Sequence, residues 1–239
     1  MIRTLLMLGF WALLAPLAAL IAIPWTLITG NVEFLYWLGT RIAFAGVRLA
    51  GIKVRLVGLD RLDPAATCIF MSNHVSNLDP PILVPVIPRR TSVLVKKELF
   101  RVPILGRAMR LASLVPVDRS NRDAAIASLR AAAEVLAKRI PMTIFVEGTR
   151  SLDGRLLPFK KGPFYLAMES GAPIVPVTIV NTHYLLPKRR FGIRKGEATV
   201  VFHAPLDPKH FSDRDALLSA VHDAIESALP AEYRSPASA

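Results

Sequence analysis

The first apolar segment of the chain runs from Thr4 to Thr26 and contains no charged residue. About 20 apolar residues are enough for a helix to cross a bilayer. This segment is longer than the apolar core of a typical secretory signal peptide, and only Arg3 precedes it, which argues against a signal peptide. Because Pro16 and Pro24 interrupt it, the pattern allows a bent helix or a re-entrant hairpin as readily as a straight span.

A second helix with a different pattern is predicted from Val32 to Leu49. Its apolar residues recur at mostly three- and four-residue spacing, and Arg41 and Arg48 fall on another face. Such a helix is typical of one that lies in the membrane interface. We therefore predict a two-helix membrane-associated module over residues 1–50.

After Gly51 the apolar residues form seven short β-rich runs, separated in several places by amphipathic stretches. The strands are predicted at Lys53–Val57, Thr67–Met71, Thr91–Val95, Leu114–Val117, Met142–Val146, Ile174–Val180 and Ala198–Phe202. The helices are predicted at Pro80–Ile87, Leu99–Leu111, Arg122–Arg139, Gly162–Ser170 and Ser212–Leu229. This alternation predicts an α/β catalytic domain over residues 51–230, with a mixed, largely parallel sheet of about seven strands flanked by helices. Residues 231–239 are predicted to form a flexible tail.

Composition narrows the range of partners. The chain of 239 residues is 52% hydrophobic, has a mean hydropathy of +0.41 and carries a formal net charge of +12. An apolar and basic protein suits an anionic, apolar partner such as a membrane leaflet, whereas nucleic acid would explain the charge but not the apolar excess. A single cysteine, Cys68, excludes an intramolecular disulfide and a cysteine-based zinc cluster.

One basic stretch stands out between Arg89 and Arg122, where nine Lys or Arg residues accompany two acidic ones. Apolar residues are interleaved with these cations. Such a stretch suits contact with anionic lipid, a phosphorylated headgroup, an acidic carrier protein or the phosphates of coenzyme A, and the sequence does not separate these uses.

Ionisable residues follow several of the predicted strands. In open α/β sheets, substrates bind at the carboxyl ends of the strands, so functional residues are expected there. His74 and Asp79 come after the second strand. A carboxylate at this distance can bind one imidazole nitrogen and leave the other free to accept a proton. No Gly-x-Ser-x-Gly motif is present, and Ser72 and Ser76 lie outside such a context, which argues against a covalent acyl-enzyme.

The segment Asn73-His74-x4-Asp79 resembles the first signature of the glycerophospholipid acyltransferases. Four further blocks resemble those of the same family in order and spacing. They are Lys96-Lys97-Glu98-Leu99-Phe100, Val117-Asp118-Arg119, Glu147-Gly148-Thr149-Arg150 and Val175-Pro176-Val177.

The resemblance implies a role for each matching residue. His74 would be the general base that deprotonates the acceptor hydroxyl, oriented by Asp79 and supported by Asn73. The acceptor's glycerol phosphate would be bound by Glu147, Gly148, Thr149 and Arg150, with Lys96 and Arg119 as further candidates. Arg150 is the natural phosphate ligand, since a guanidinium group matches phosphate oxygens. Alternatively, Glu147 forms an ion pair with Arg150 and positions it.

The activity implied is transfer of a fatty acyl group to the free hydroxyl of 1-acylglycerol 3-phosphate, which forms phosphatidic acid. The expected partners are membrane lipids, lysophosphatidic acid and an acyl donor, either acyl-CoA or acyl carrier protein, with no nucleic acid. No cofactor or metal is expected, the acyl donor being a co-substrate. Both donors are cytosolic, so the catalytic domain is expected on the cytoplasmic side of the cell (inner) membrane.

Three alternatives remain open at this point. In the first, the acceptor is another lyso-lipid, such as a lysophospholipid or lyso-ornithine lipid. His74 would also suit a thioesterase or lipid hydrolase that activates water. A basic membrane-surface binding protein would explain the charge but not the segments Asn73–Asp79 and Glu147–Arg150.

Overall fold

The computed structural model describes residues 1–118 and 122–235, without the side chains of residues 122 and 123. Seven strands form one sheet in the order β1-β7-β6-β2-β5-β3-β4. They are β1 (Ile52–Val57), β2 (Ile69–Ser72), β3 (Ser92–Lys96), β4 (Val115–Val117), β5 (Met142–Phe145), β6 (Ile174–Val180) and β7 (Gly196–Phe202).

The five strands β6, β2, β5, β3 and β4 are parallel to one another. Strand β7 runs antiparallel to β6, and β1 runs parallel to β7. The sheet is therefore mixed and largely parallel, as predicted. Its parallel part brings the carboxyl ends of β6, β2, β5 and β3 to one edge, which we call the catalytic edge.

The helices cover both faces of the sheet. They are α1 (Ile2–Thr29), α2 (Glu33–Leu49), α3 (Asp79–Leu83), α4 (Pro103–Leu111), α5 (Arg122–Ala137), α6 (Gly162–Ser170), α7 (Thr182–Leu185) and α8 (Arg214–Ser227).

Proline explains where two predicted helices differ from the structure. The segment predicted at Leu99–Leu111 is divided at Val102, whose backbone is extended because Pro103 follows it. A 3-10 helix, Lys97–Arg101, precedes this break and α4 follows it. Helix α3 is likewise shorter than predicted and continues as a 3-10 turn at Val84–Val86.

A separate hydrophobic core lies on each face of the sheet, and β2 contributes to both. Phe70 packs in the core that includes α3 and the C-terminal end of α2. Ile69 and Met71 point the opposite way, into the core shared with α5, α6 and α8. This alternation follows from the two-residue period of a strand and explains why β2 is apolar throughout.

Helices α1 and α2 form an antiparallel hairpin. Helix α1 continues for 28 residues through Pro16 and Pro24, so the first apolar segment is one helix and the turn of the hairpin lies between the two helices. The first helix ends at Gly30, which adopts the left-handed conformation with φ of 71°. In the part of the chain described, α1 is the one helix that is long and apolar enough to cross a membrane.

The hairpin is attached to the domain near both of its ends. Near the start of α1, the Thr4 hydroxyl donates to the carbonyl of Phe191 at 2.6 Å and accepts from the N–H of Ile193 at 2.9 Å. At the start of α2, the side chains of Arg90 and Glu33 are 2.7 Å apart. The hairpin therefore lies along the domain instead of projecting away from it.

The segment after residue 230 is only partly a tail. Residues Ala231–Tyr233 form a 3-10 turn, and the carbonyl of Tyr233 accepts from the N–H of Leu156 at 2.9 Å. The N–H of Ser235 donates to Glu226 at 2.7 Å. Residues 231–235 thus belong to the folded domain, in contrast to the prediction, while residues 236–239 lie outside the described part.

Candidate active site

His74 and Asp79 meet at the catalytic edge, directly after β2. The Nδ1 atom of His74 is 2.8 Å from Oδ2 of Asp79. The same oxygen accepts hydrogen bonds from the N–H groups of Val75 at 2.7 Å and Ser76 at 2.8 Å. Asp79 is completely buried, whereas 13% of the His74 side chain is exposed. A carboxylate only accepts hydrogen bonds, so the proton of the neutral imidazole is assigned to Nδ1.

The ring of His74 is also held from one face. It stacks on Phe145 at the end of β5, with ring centroids 4.2 Å apart and planes inclined by 27°. Its Nε2 atom has no hydrogen-bond partner among the residues described, and this nitrogen carries the free lone pair. The arrangement fixes both the tautomer and the direction of the imidazole, which are the two conditions that a general base must meet.

Asp79 has a fourth hydrogen-bond donor that the sequence did not indicate. The Thr182 hydroxyl donates to Oδ1 of Asp79 at 2.6 Å, and both side chains are fully buried. Thr182 is the first residue of α7, a helix of four residues. An element this short has no measurable periodicity, and nothing in the sequence links it to a residue 103 positions away.

The segment Glu147–Ser151 is hydrogen-bonded to the His74 loop. The N–H of His74 donates to Oε1 of Glu147, and the carbonyl of His74 accepts from the N–H of Ser151, both at 2.9 Å. The guanidinium of Arg150 donates to Oδ1 of Asn77 at 2.6 Å. Because β2 and β5 are adjacent and parallel, the two segments leave the sheet side by side.

Glu147 lies beneath this loop and not at its surface. Its side chain is buried, and burial raises the pKa of its carboxyl to about 8 against the effect of the N–H groups of His74 and Leu157. Oε2 has no hydrogen-bond partner among the residues described. No salt bridge joins Glu147 to Arg150 in that part of the chain, so the geometry favours support of the His74 backbone over both predicted roles.

The rest of this segment is closer to solvent. Gly148 adopts a φ of 70°, which turns the chain after β5, and the side chain of Thr149 is exposed. The Lys188 ammonium donates to the carbonyl of Arg150 at 2.5 Å. Lys188 was not among the predicted site residues, although the run Lys188-Arg189-Arg190 was visible as a cluster of positive charge.

Comparisons with known proteins agree with this geometry. The sequence profile of the family described as "Acyltransferase" matches residues 53–180. The 1-acyl-sn-glycerol-3-phosphate acyltransferase of Limnanthes douglasii is 34% identical over 221 residues, which cover 91% of this chain and 77% of the relative. The alpha enzyme of the same name from Bos taurus is 31% identical over 87% of this chain and 73% of its own.

A solved structure extends the similarity to the whole fold. It is the crystal structure of the 1-acyl-sn-glycerophosphate (LPA) acyltransferase PlsC from Thermotoga maritima. The TM-score is 0.79 at 26% identity, over 95% of this chain and 94% of that one. This chain belongs to the acyltransferase family.

Asn73, the residue before the acyltransferase histidine, has a structural role. Its side chain is buried, donates to the carbonyl of Ile179 at 2.9 Å and accepts from the N–H of the same residue at 2.8 Å. It therefore joins the end of β2 to β6. The hydroxyls of Ser72 and Ser76 are likewise buried and donate to backbone carbonyls, so neither is presented as a nucleophile.

Of the two further candidates for phosphate binding, Lys96 and Arg119, the structure describes only Lys96. Lys96 ends β3 at the catalytic edge of the acyltransferase sheet. Its side chain is 67% exposed, and its ammonium is 3.6 Å from Glu98. Arg119 lies outside the described residues. Within residues 1–118 and 122–235, no three His, Cys, Asp or Glu side chains are grouped to hold a metal ion.

Proposed function

We propose that this protein transfers a fatty acyl group from a thioester donor to the free hydroxyl of 1-acylglycerol 3-phosphate, forming phosphatidic acid. The observation that carries the proposal is the His74–Asp79 pair, held beside the Arg150 segment in a chain of the acyltransferase family. The acceptor is inferred from the names of the relatives and of the solved structure. The proposed donor is acyl-CoA or acyl carrier protein.

The geometry suggests a direct transfer. Nε2 of His74 accepts the proton of the acceptor hydroxyl as its oxygen attacks the thioester carbonyl and forms the new C–O bond. The tetrahedral intermediate then collapses, the C–S bond breaks, and the leaving thiolate takes the proton from the imidazolium. Asp79 stabilises the imidazolium in between, and this type of base catalysis contributes about 10²–10⁴ to the rate.

We propose that the phosphate of the acceptor is bound chiefly by Arg150. Its guanidinium is partly exposed and is held by Asn77, a residue of the His74 loop, so the phosphate and the base are brought to one loop. Lys188 adds a second positive charge beside the Arg150 backbone. The proposed mechanism invokes no metal or bound cofactor, since His74 is the group that activates the acceptor hydroxyl.

We also propose that the protein acts at the cytoplasmic face of the cell (inner) membrane. Helix α1 exposes many large apolar residues along its length, among them Leu13, Leu20, Ile21 and Ile28. Their exposure to water would be unfavourable by about 25 cal/mol for each Å². Immersion of the hairpin in one leaflet removes this cost and keeps the catalytic domain at the surface where both substrates are available.

The test is transfer of labelled acyl groups by purified protein in detergent. Acyl-CoA and acyl carrier protein are compared as donors, and 1-acylglycerol 3-phosphate is compared with 1-monoacylglycerol as acceptor. Wild type should form phosphatidic acid and prefer the phosphorylated acceptor. His74→Ala should remain folded by circular dichroism and lose at least about 100-fold in rate.

Three results would change the proposal. Phosphate-independent transfer would remove lysophosphatidic acid as the preferred acceptor. Release of free fatty acid at the same rate with and without acceptor would identify a hydrolase. A His74→Ala protein as active as wild type would overturn the mechanism.

A further inference from the structure

The Asp79 carboxylate is held from two sides of the catalytic edge. Oδ2 accepts hydrogen bonds from His74 and from two backbone N–H groups, all in the loop that follows β2. Oδ1 accepts a hydrogen bond from the Thr182 hydroxyl, which lies in the segment that follows β6. No other partner of Oδ1 is present in residues 1–118 and 122–235. Among the described residues, Thr182 is thus the one group that holds this oxygen directly.

Thr182 is itself held in place by its surroundings. The preceding residue, Asn181, adopts a φ of 74°, and its amide donates to the carbonyl of Glu197 at the start of β7. Two residues before Asn181, the N–H and the carbonyl of Ile179 are both hydrogen-bonded to the side chain of Asn73. The turn between β6 and α7 is therefore tied to β2 and β7 and presents the hydroxyl at a defined position.

We propose that Thr182 is a positioning residue for catalysis, which holds the Asp79 carboxylate so that Oδ2 faces Nδ1 of His74 and Nε2 faces the acceptor. The inference rests on the proposed acyltransferase function. A donor on Oδ1 limits rotation of the carboxylate and takes up part of its negative charge. Both effects act on His74 through Asp79, and Thr182 itself touches no substrate.

A hydroxyl that only stabilises the fold would have a different signature. It would change the unfolding temperature, but it would leave the pH profile of the reaction where it was. Other charged or titratable groups lie near this pair. Glu147 after β5 interacts electrostatically with Asp79, Arg150 is hydrogen-bonded to Asn77 of the His74 loop, Lys188 is bonded to the carbonyl of Arg150, and His183 follows Thr182 in the chain. They are unchanged by substitutions at position 182, so a shift of the profile reports on the hydroxyl.

The experiment compares Thr182→Val with Thr178→Val in the phosphatidic acid assay from pH 5 to 9. Thr178 is the matched control because it too is a fully buried threonine. It lies in β6, and its hydroxyl is hydrogen-bonded to the carbonyl of Ile225 and to the ring of His203, both at 2.8 Å. For Thr182→Val we expect kcat to fall about tenfold to hundredfold, the range for loss of a hydrogen bond to a charged group, with KM nearly unchanged.

The acid limb of the kcat profile should also move to higher pH, because Asp79 then offers more negative charge to the protonated imidazole. Thr178→Val should lose stability and keep the wild-type kcat and profile. If Thr182→Val matches Thr178→Val in kcat and profile, the inference is overturned.

A second pair of variants covers the case in which Thr182→Val does not fold. Thr182→Ser and Thr182→Ala both lack the methyl group and differ only in the hydroxyl. The serine variant should keep the wild-type profile and most of the rate, while the alanine variant should show the loss and the shift. Equal behaviour of the two overturns the inference. A wild-type protein inactive with every acceptor would instead overturn the proposed function, and this inference with it.

Discussion

Two buried carboxyl groups, those of Asp79 and Glu147, contact the loop that carries His74, and their hydrogen-bond partners differ. Asp79 accepts four hydrogen bonds, two of them from backbone N–H groups and one from a hydroxyl. Glu147 is equally enclosed, but its Oε2 has no partner among the residues described. Burial disfavours the charged form, and the N–H groups near Glu147 offset this only in part, which is why the pKa of Glu147 is raised to about 8.

The first prediction at this scale concerns stability and pH. Between its ordinary value of 4.5 and the raised value of about 8, Glu147 holds a proton in the folded protein that the unfolded chain has released. The free energy of unfolding therefore falls, by up to about 1.4 kcal/mol per pH unit, as pH rises through this window. Glu147→Gln cannot ionise, so its melting temperature should rise relative to wild type from pH 5 to pH 8.

Glu169→Gln is the control for this measurement, since it removes an exposed carboxylate on α6. Its difference from wild type should stay nearly constant over the same pH range. A Glu147→Gln protein that loses stability relative to wild type on going to pH 8 would show that Glu147 is charged in the folded state.

The second prediction at the residue scale concerns the acceptor phosphate. Arg150→Gln should raise KM for 1-acylglycerol 3-phosphate by about 10- to 100-fold, the range for loss of a charge-assisted hydrogen bond. KM for the acyl donor should change little. Arg214→Gln on α8 removes an arginine that pairs with Asp215 and should leave both constants unchanged. An unaltered acceptor KM in Arg150→Gln would assign the phosphate to other cations.

At the scale of elements, the hairpin of α1 and α2 depends on one close approach. Trp11 of α1 donates from its indole nitrogen to the carbonyls of Ile42 and Ala43, both at 3.2 Å. Its ring lies over Gly46, where an added Cβ would be 2.1 Å from Nε1 of Trp11. Gly39 is on the same helix, but an added Cβ there meets nothing within 4 Å.

The two glycines should therefore respond to alanine in opposite directions. Gly39→Ala should stabilise the protein by about 0.5–1 kcal/mol, since alanine loses less backbone entropy in a helix. Gly46→Ala should destabilise it by about 1–3 kcal/mol, because the tryptophan must move. Thermal unfolding in detergent measures both. If Gly46→Ala melts at or above Gly39→Ala, the contact between the helices is looser than described.

At the scale of the whole molecule, both ends of the hairpin contact the domain. The start of α1 is bonded to the segment before β7, and the start of α2 is bonded to Arg90 and Thr91, just before β3. If α1 crossed the bilayer, the connection at residues 30–32 would lie on the far side and the contacts of Glu33 and Tyr36 would be broken. The tertiary structure therefore favours a hairpin that stays in one leaflet.

A cysteine at the hairpin connection tests this arrangement. Asn31→Cys should react with a membrane-impermeant maleimide added on the side of the catalytic domain and not from the opposite side. The native thiol gives little background, because burial raises the pKa of Cys68 to about 12. Glu169→Cys marks the domain side as a control. Labelling of Asn31→Cys only from the side opposite Glu169→Cys would establish a span.

The local pattern of the chain was enough to predict the strands of the sheet. All seven predicted runs form strands, because β-branched and aromatic residues in short runs bounded by turn residues pack well on a buried pleated surface. His74, Asp79 and Arg150 were proposed as site residues from their positions after predicted strands together with the resemblance to the glycerophospholipid acyltransferases. Proline shifted two helix boundaries from their predicted positions. Val102 is extended because Pro103 follows it, and Pro85 has no N–H with which to continue the α-helical hydrogen bonds of α3.

Only the tertiary structure decided how these parts act together. Thr182 reaches Asp79 across 103 residues, Glu147 is enclosed beneath the His74 loop, and the α1–α2 hairpin lies along the domain. None of these has a local signature, because burial and long-range hydrogen bonds depend on which strands become neighbours. The residue pattern thus predicted the strands and the basic and apolar character of the chain, and the family resemblance proposed His74 and Asp79 as a pair. The strand order determined which side chains hold that pair in place.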